Sequence, residues 1–179
     1  MGENRLEELQ YPIGKFTRPG QLDAAERDRL IAGLAAFPAR LRETVAGLGE
    51  EQLAAPYRPG GWTVRQVVHH LADAMMNTYM RVKLALTEDR PAICPFDEAK
   101  WAELPDSSVY GVEDSLALLE ALHQRWDRLW RSLGAEQFRR EFVHPANGPW
   151  TLDDALAFAD WHARHHTAQI ASLRRRMGW

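Results

Sequence analysis

Between residues 152 and 177 the side chains Leu152, Ala155, Leu156, Ala159, Ala163, Ile170, Leu173 and Met177 recur at three- and four-residue steps, the signature of a helix with one apolar face. Residues four apart on a helix share a face, and His162 and His166 fall inside this stripe, while His165 falls on its flank beside Phe158 and Trp161. Such a helix must be covered by other elements, and the cover must accommodate two imidazoles. Burying them side by side leaves up to four ring nitrogens to satisfy, and protonating both sets like charges together in a poor dielectric. A divalent cation removes the difficulty, since neutral imidazole is a common ligand for zinc, nickel, copper or iron. The spacing is that of helical zinc motifs, although no glutamate follows the first histidine here.

The remaining chain reads as the cover. A chain of 179 residues with 45% apolar and 26% charged residues suits a single domain with one core. Residues 1–21, with Pro12, Gly14, Pro19 and Gly20, read as an extended arm with turns. Helices are expected at about 23–48, 63–88, 112–133 and 151–177, with capping pairs Asp23/Glu26, Thr63/Gln66 and Thr151/Asp154. Pro38 predicts a bend near Phe37 within one continuous first helix. Long connections separate the helices; the one at 89–111 carries Pro91, Pro95 and Pro105, has room for a short helix at 97–104, and can wall a site. No run alternates as a strand does, and His144 lies in a turn-rich stretch, in a turn or on the rim of a site. The fold class is all-α, a bundle that builds its sites from facing helices.

A third ligand would complete a catalytic type of metal site, with one coordination position left open. On the second helix His70 sits at one margin of the apolar stripe and His69 beyond the other, next to Asp73 and solvent-facing; periodicity favours His70 only slightly. His123 reads as an edge-of-core residue. Asp73 and Asp160 are general-base candidates by helical proximity to the histidines, each read first as a surface ion-pair partner. Asn77, Tyr79 and Arg81 can reach a site from the second helix, Tyr79 equally as core packing. The run Arg174-Arg175-Arg176 complements a helix C-terminus.

The net charge of −3 gives no footprint for nucleic acid, and no apolar run is long enough for a membrane span or a signal core. One cysteine, Cys94, makes no intrachain disulfide, and the expectation is a soluble cytoplasmic protein without nucleic-acid or membrane partners.

The stretch Arg58-Pro59-Gly60-Gly61-Trp62-Thr63-Val64-Arg65-Gln66-Val67-Val68-His69-His70-Leu71-Ala72-Asp73 resembles the YfiT branch of the DinB/YfiT-like superfamily. So do Tyr11 to Gly14, Lys83 to Glu88, Trp161 to His166 and Arg175 to Trp179. The resemblance covers most of the chain. It implies a DinB-like four-helix bundle, up-down-down-up, with metal ligands at His70, His162 and His166. It further implies one divalent metal per chain, zinc first and nickel or another transition metal next, and a homodimer. The implied activity is that of a metal-dependent hydrolase, or transfer of a low-molecular-weight thiol such as bacillithiol onto an electrophilic small molecule. Arg164 departs from the pattern of the histidine cluster but lies off the apolar face. The other reading of the same residues is a non-catalytic, metal-stabilised bundle that dimerises or binds a partner. Neither the residues nor the resemblance identifies catalytic or substrate-binding side chains.

Overall fold

A computed structural model describes residues 2–179. Helix α1 (Gly2–Gln10) leads into an extended segment, followed by α2 (Ala24–Ala35), α3 (Phe37–Val45) and the short α4 (Glu50–Leu53). Next come α5 (Val64–Thr87), the short α6 (Glu98–Ala102) and α7 (Pro105–Ser108), then α8 (Glu113–Arg131) and α9 (Ala135–Phe138). A hairpin of β1 (Glu141–His144) and β2 (Gly148–Thr151) precedes α10 (Leu152–Met177).

The bundle consists of α2/α3, α5, α8 and α10. The α2/α3 pair packs on α8 and α10, as does α5, so the first and second long helices lie diagonally. Directions follow from bonds at the helix ends. Arg27 near the start of α2 meets Asp153 at the start of α10, and Arg174 near the end of α10 reaches the carbonyls of Thr44 and Ala46 at the end of α3, which makes these helices parallel. Arg42 of α3 pairs with Glu113 and Glu120 at the start of α8, and Arg176 of α10 donates to Tyr57 just before α5, which makes those pairs antiparallel. The topology is up-down-down-up. One continuous cluster fills the centre, with Leu41, Leu71, Met75, Leu119, Trp126, Leu156 and Ile170 contributed by all four helices.

The capping pairs act as their residue types dictate. Asp23 and Glu26, Thr63 and Gln66, and Thr151 and Asp154 each form reciprocal side chain–backbone bonds that satisfy amides left free at a helix start.

Several local expectations are corrected. The arm begins with helix α1, because the helix-breaking residues start only at Pro12 and the preceding Leu6-Glu7-Glu8-Leu9-Gln10 are good helix formers. The first long helix is two helices, divided at Ala36; Pro38, in the first turn of α3, has no amide to offer the Leu34 carbonyl four residues back, and the Arg40 side chain donates to the neighbouring Gly33 carbonyl at 2.6 Å. Residues 141–151 form a hairpin with Pro145-Ala146-Asn147 as its turn and Gly148, at φ +71°, opening the second strand. Its strands are four residues each and one contains Pro149, too short for alternation to be visible. His69 is buried, its ring bonded to the Ser115 hydroxyl at 2.8 Å and to the Tyr110 carbonyl at 3.3 Å, because the 105–112 segment folds over that face of α5. Arg174 and Arg176 tie other segments to α10 in addition to lying at its C-terminus. Among the described residues, no helix is long and apolar enough to cross a membrane.

His123 is a core residue. It is buried against Phe37 and Trp126, its Nδ1 bonded to the Leu119 carbonyl at 2.8 Å, and burial lowers its pKa to about 4. An unfolded chain protonates this ring near 6.5, so the folded state loses relative stability as pH falls from about 6.5 towards 4. Urea melts of His123→Met between pH 7 and 4 are expected to show a shallower loss than the parent protein. A buried ion pair gives a second expectation. Asp153 accepts from Arg27 at 2.7 Å and from the Leu22 amide at 3.2 Å, with both side chains enclosed. Asp153→Ala leaves a buried guanidinium without its partner, and denaturation is expected to register a loss of about 3–5 kcal/mol.

Candidate metal centre

The antiparallel packing of α5 on α10 sets His70, in the second turn of α5, opposite His162 and His166 near the middle of α10. All three rings are buried. The Nε2 of His162 lies 3.3 Å from that of His70 and 3.2 Å from that of His166, and one ligating atom from each residue falls within 4.8 Å of the others. Tetrahedral ligands at the usual zinc–nitrogen length of about 2.0–2.1 Å are about 3.3–3.4 Å apart. The donor set and its spacing therefore fit a divalent metal, and among the described residues no fourth histidine, cysteine or carboxylate joins this cluster.

Protonation agrees with that fit. Burial, reinforced by the neighbouring imidazoles, holds His162 and His166 well below the ordinary histidine pKa of 6.5, and burial lowers His70 to about 4. At neutral pH the rings are uncharged, the form that donates a lone pair to a cation.

Gln169 fixes which nitrogen faces inward. Its amide nitrogen donates to the main-chain carbonyl of Gln10 at 2.8 Å, so its Oε1 is the atom 2.8 Å from His166 Nδ1. That nitrogen must therefore carry the proton, and Nε2 of His166 presents its lone pair to the cluster. Support of this kind is what orients a metal-binding imidazole. The same Gln169 nitrogen lies 3.0 Å from His165 Nε2, and His165 stacks on Trp161 with ring centres 4.6 Å apart. His165 thus flanks the cluster and stays outside it. Trp62, just before α5, packs against the cluster with its ring 4.6 Å from that of His70 and 6.3 Å from that of His166.

One cleft reaches the cluster at His166, and a second lies nearby. The first, of about 250 Å³, is lined by Tyr11, Tyr57, Arg58, Trp62, Glu98 and His166 among others. The second, of about 160 Å³, lies along the same pair of helices between Thr78 and Arg81 of α5, Ala155 and Phe158 of α10, and the hairpin. Glu98 of α6 lines both, so the long connection does wall the site, through a residue that no motif or periodicity marks. Its side chain is exposed at the mouth of the clefts, the protein around it raises its pKa, and the charge of Arg81 acts in the opposite direction.

The other carboxylates stand apart. Asp160 is buried towards Gly33 of α2 and paired with Arg164 at 2.8 Å, so its ion pair is only half at the surface. Asp73, raised to about 6 by burial and the nearby Asp106, shares a separate cleft with His69 and Ser115. Asn77 bonds its own helix at Asp73, and Tyr79 packs edge-on against Trp126. His144 sits on β1 at the rim of the second cleft, and Cys94 is exposed.

An antiparallel-and-parallel bundle with a buried three-histidine cluster reached by a cleft at His166 defines a class of helical protein suited to metal-assisted chemistry. The chain belongs to the DinB superfamily, whose pattern matches residues 34–170. It is 49% identical over 172 residues, 96% of this chain and 97% of the relative, to the Bacillus subtilis protein named "Putative metal-dependent hydrolase YfiT". A Geobacillus kaustophilus protein also named "Putative metal-dependent hydrolase" is 48% identical over 97% of this chain and 98% of its own length. A solved structure of YfiT from Bacillus subtilis, described as having an unusual four-helix bundle topology, superposes with a TM-score of 0.94, covering 96% of this chain and 99% of that one.

Gln169→Leu removes the acceptor behind His166 without touching a member of the cluster. Chelator competition is expected to show metal affinity reduced by roughly 10- to 100-fold, with the helical content retained.

Proposed function

We propose that the chain is a metal-dependent enzyme in which His70, His162 and His166 hold one divalent metal. The observation that carries this reading is the convergence of three neutral Nε2 atoms at coordination spacing, beside a cleft that reaches His166. The spacing of 3.2–3.3 Å favours a tetrahedral ion such as zinc, with nickel or another transition metal as the alternative. When bound, the ion supplies Lewis acidity, polarising an electrophile and lowering the pKa of a water or a thiol.

The residues of the chain supply the rest. Gln169 holds His166 in its ligating tautomer, and Trp62 excludes water from one side of the cluster. Glu98, at the mouth of the cleft and with its pKa raised by the protein around it, is the base that accepts the proton released by the nucleophile. With water as nucleophile the reaction is hydrolysis, in keeping with the names of the relatives. With a low-molecular-weight thiol such as bacillithiol it is S-transfer onto an electrophile, which uses the same histidines. The reading extends to a cytoplasmic homodimer acting on small molecules, away from nucleic acid and membrane; the net charge of −3 supports the exclusion of nucleic acid.

Elemental analysis of the purified protein is expected to find about one divalent metal per chain, and His70→Ala and His162→Ala are expected to lose it. Full retention of metal in both variants overturns the ligand set. Turnover of activated esters, and conjugation of electrophiles with several thiols, is expected only in the metal-loaded protein. Equal rates after stripping, or variants that merely melt earlier, indicate a structural bundle instead.

A further inference from the structure

The second cleft holds a charged side chain with no directly bonded partner, balanced only at a distance by the Glu98 carboxylate. Arg81 is half buried, makes no hydrogen bond or ion pair among the described residues, and has its Nε enclosed without a partner. Glu98 shares the cleft but forms no ion pair with it, since no carboxylate lies within 4.0 Å of the guanidinium among the described residues. A guanidinium kept partly out of water and unpaired is costly to the fold, and such a group is retained where an anion comes to meet it.

Position relates this arginine to the histidines. Arg81 is eleven residues beyond His70 on α5, three helical turns and only about 20° round the axis, hence on the same face. The two Cα atoms are separated by roughly 16 Å along the helix, and helical side chains lean back towards the N-terminus, here towards His70. Between them the floor is Thr78 and Phe158, and the Phe158 ring lies 5.3 Å from that of His162. The hairpin supplies Phe142 and Trp150, stacked at 6.3 Å, and Arg18 lies over Trp150 at 4.1 Å, adding positive charge at the rim. The cleft thus lies beside the metal centre, with the Phe158 ring between it and His162, and passes along an aromatic wall to a cation that has no hydrogen-bonded partner.

Resting on the metal-centre reading above, we propose that this groove seats the far end of the substrate, an oxyanion carried on an apolar stem. Arg81 receives the carboxylate or phosphate group, Phe142, Trp150 and Phe158 pack the stem, and the reacting end lies at the histidines. Arg81 is a specificity-determining residue, and an acyl compound without the distal anion is a poor substrate.

Calorimetric titration of the purified protein with phenylacetate, phenyl phosphate and phenylacetamide tests the assignment. At least one of the two anions is expected to bind ten-fold or more tightly than the neutral amide, and the arm that binds tells carboxylate from phosphate. Arg81→Met, nearly isosteric and checked for an unchanged circular dichroism spectrum, is expected to lose that preference, and Glu98→Gln to strengthen it. Binding of the anion is expected to survive metal stripping and the His162→Ala substitution, which separates failure of this assignment from failure of the metal reading. Neutral and anionic ligands binding alike, binding untouched by Arg81→Met, binding abolished by stripping, or no binding by either anion each overturn it.

Discussion

Three uncharged imidazoles packed edge to edge inside a helical bundle impose the demand that the rest of this architecture meets. The inward nitrogen of His162 stands 3.2–3.3 Å from those of the other two, where only one proton can be shared in each contact and none can be gained without crowding positive charge. Everything adjacent keeps them neutral and aimed. The antiparallel docking of α5 on α10 brings the rings together, Trp62 shields them, and the Gln169 amide dictates where the His166 proton resides. A cation at that point turns a liability of burial into a binding energy for the whole fold.

The diagonal placement of the first two long helices has a related role. Because α5 is adjacent to α10 rather than to α2/α3, the two histidine-bearing helices face each other directly along their length. A groove follows from that pairing, with the short helix α6 and the hairpin laid over it. The long connections of the chain therefore close the clefts, whose floor is formed by α10 in the first and by α5 and α10 in the second.

What could be read in advance divides along physical lines. The inward pair on α10 was visible because a 26-residue helix repeats its period many times, and the capping boxes were visible because their chemistry is local. The choice between His69 and His70 was barely resolved by period, since both are buried: one faces α10 and the other meets Ser115 of α8. Nothing in the chain marked α5 as enclosed on two sides. Glu98 and Gln169 were missed for different reasons. Glu98 acquires its place only when the connection folds over the groove, and Gln169 looks like any polar residue until its amide is seen spanning His166 and Gln10. The hairpin and α1 were hidden by short length and by the weight given to nearby prolines and glycines.

The Gln10 contact has a bearing on how such a centre varies among proteins. The acceptor that fixes the Gln169 amide is a main-chain oxygen, so any amino acid at position 10 can provide it. What must be preserved is the route of the backbone as α1 ends and the chain turns at Tyr11-Pro12, not the identity of a side chain. Substitution can then run freely there while the electronic state of a buried imidazole 156 positions away stays fixed, as long as the segment keeps its path.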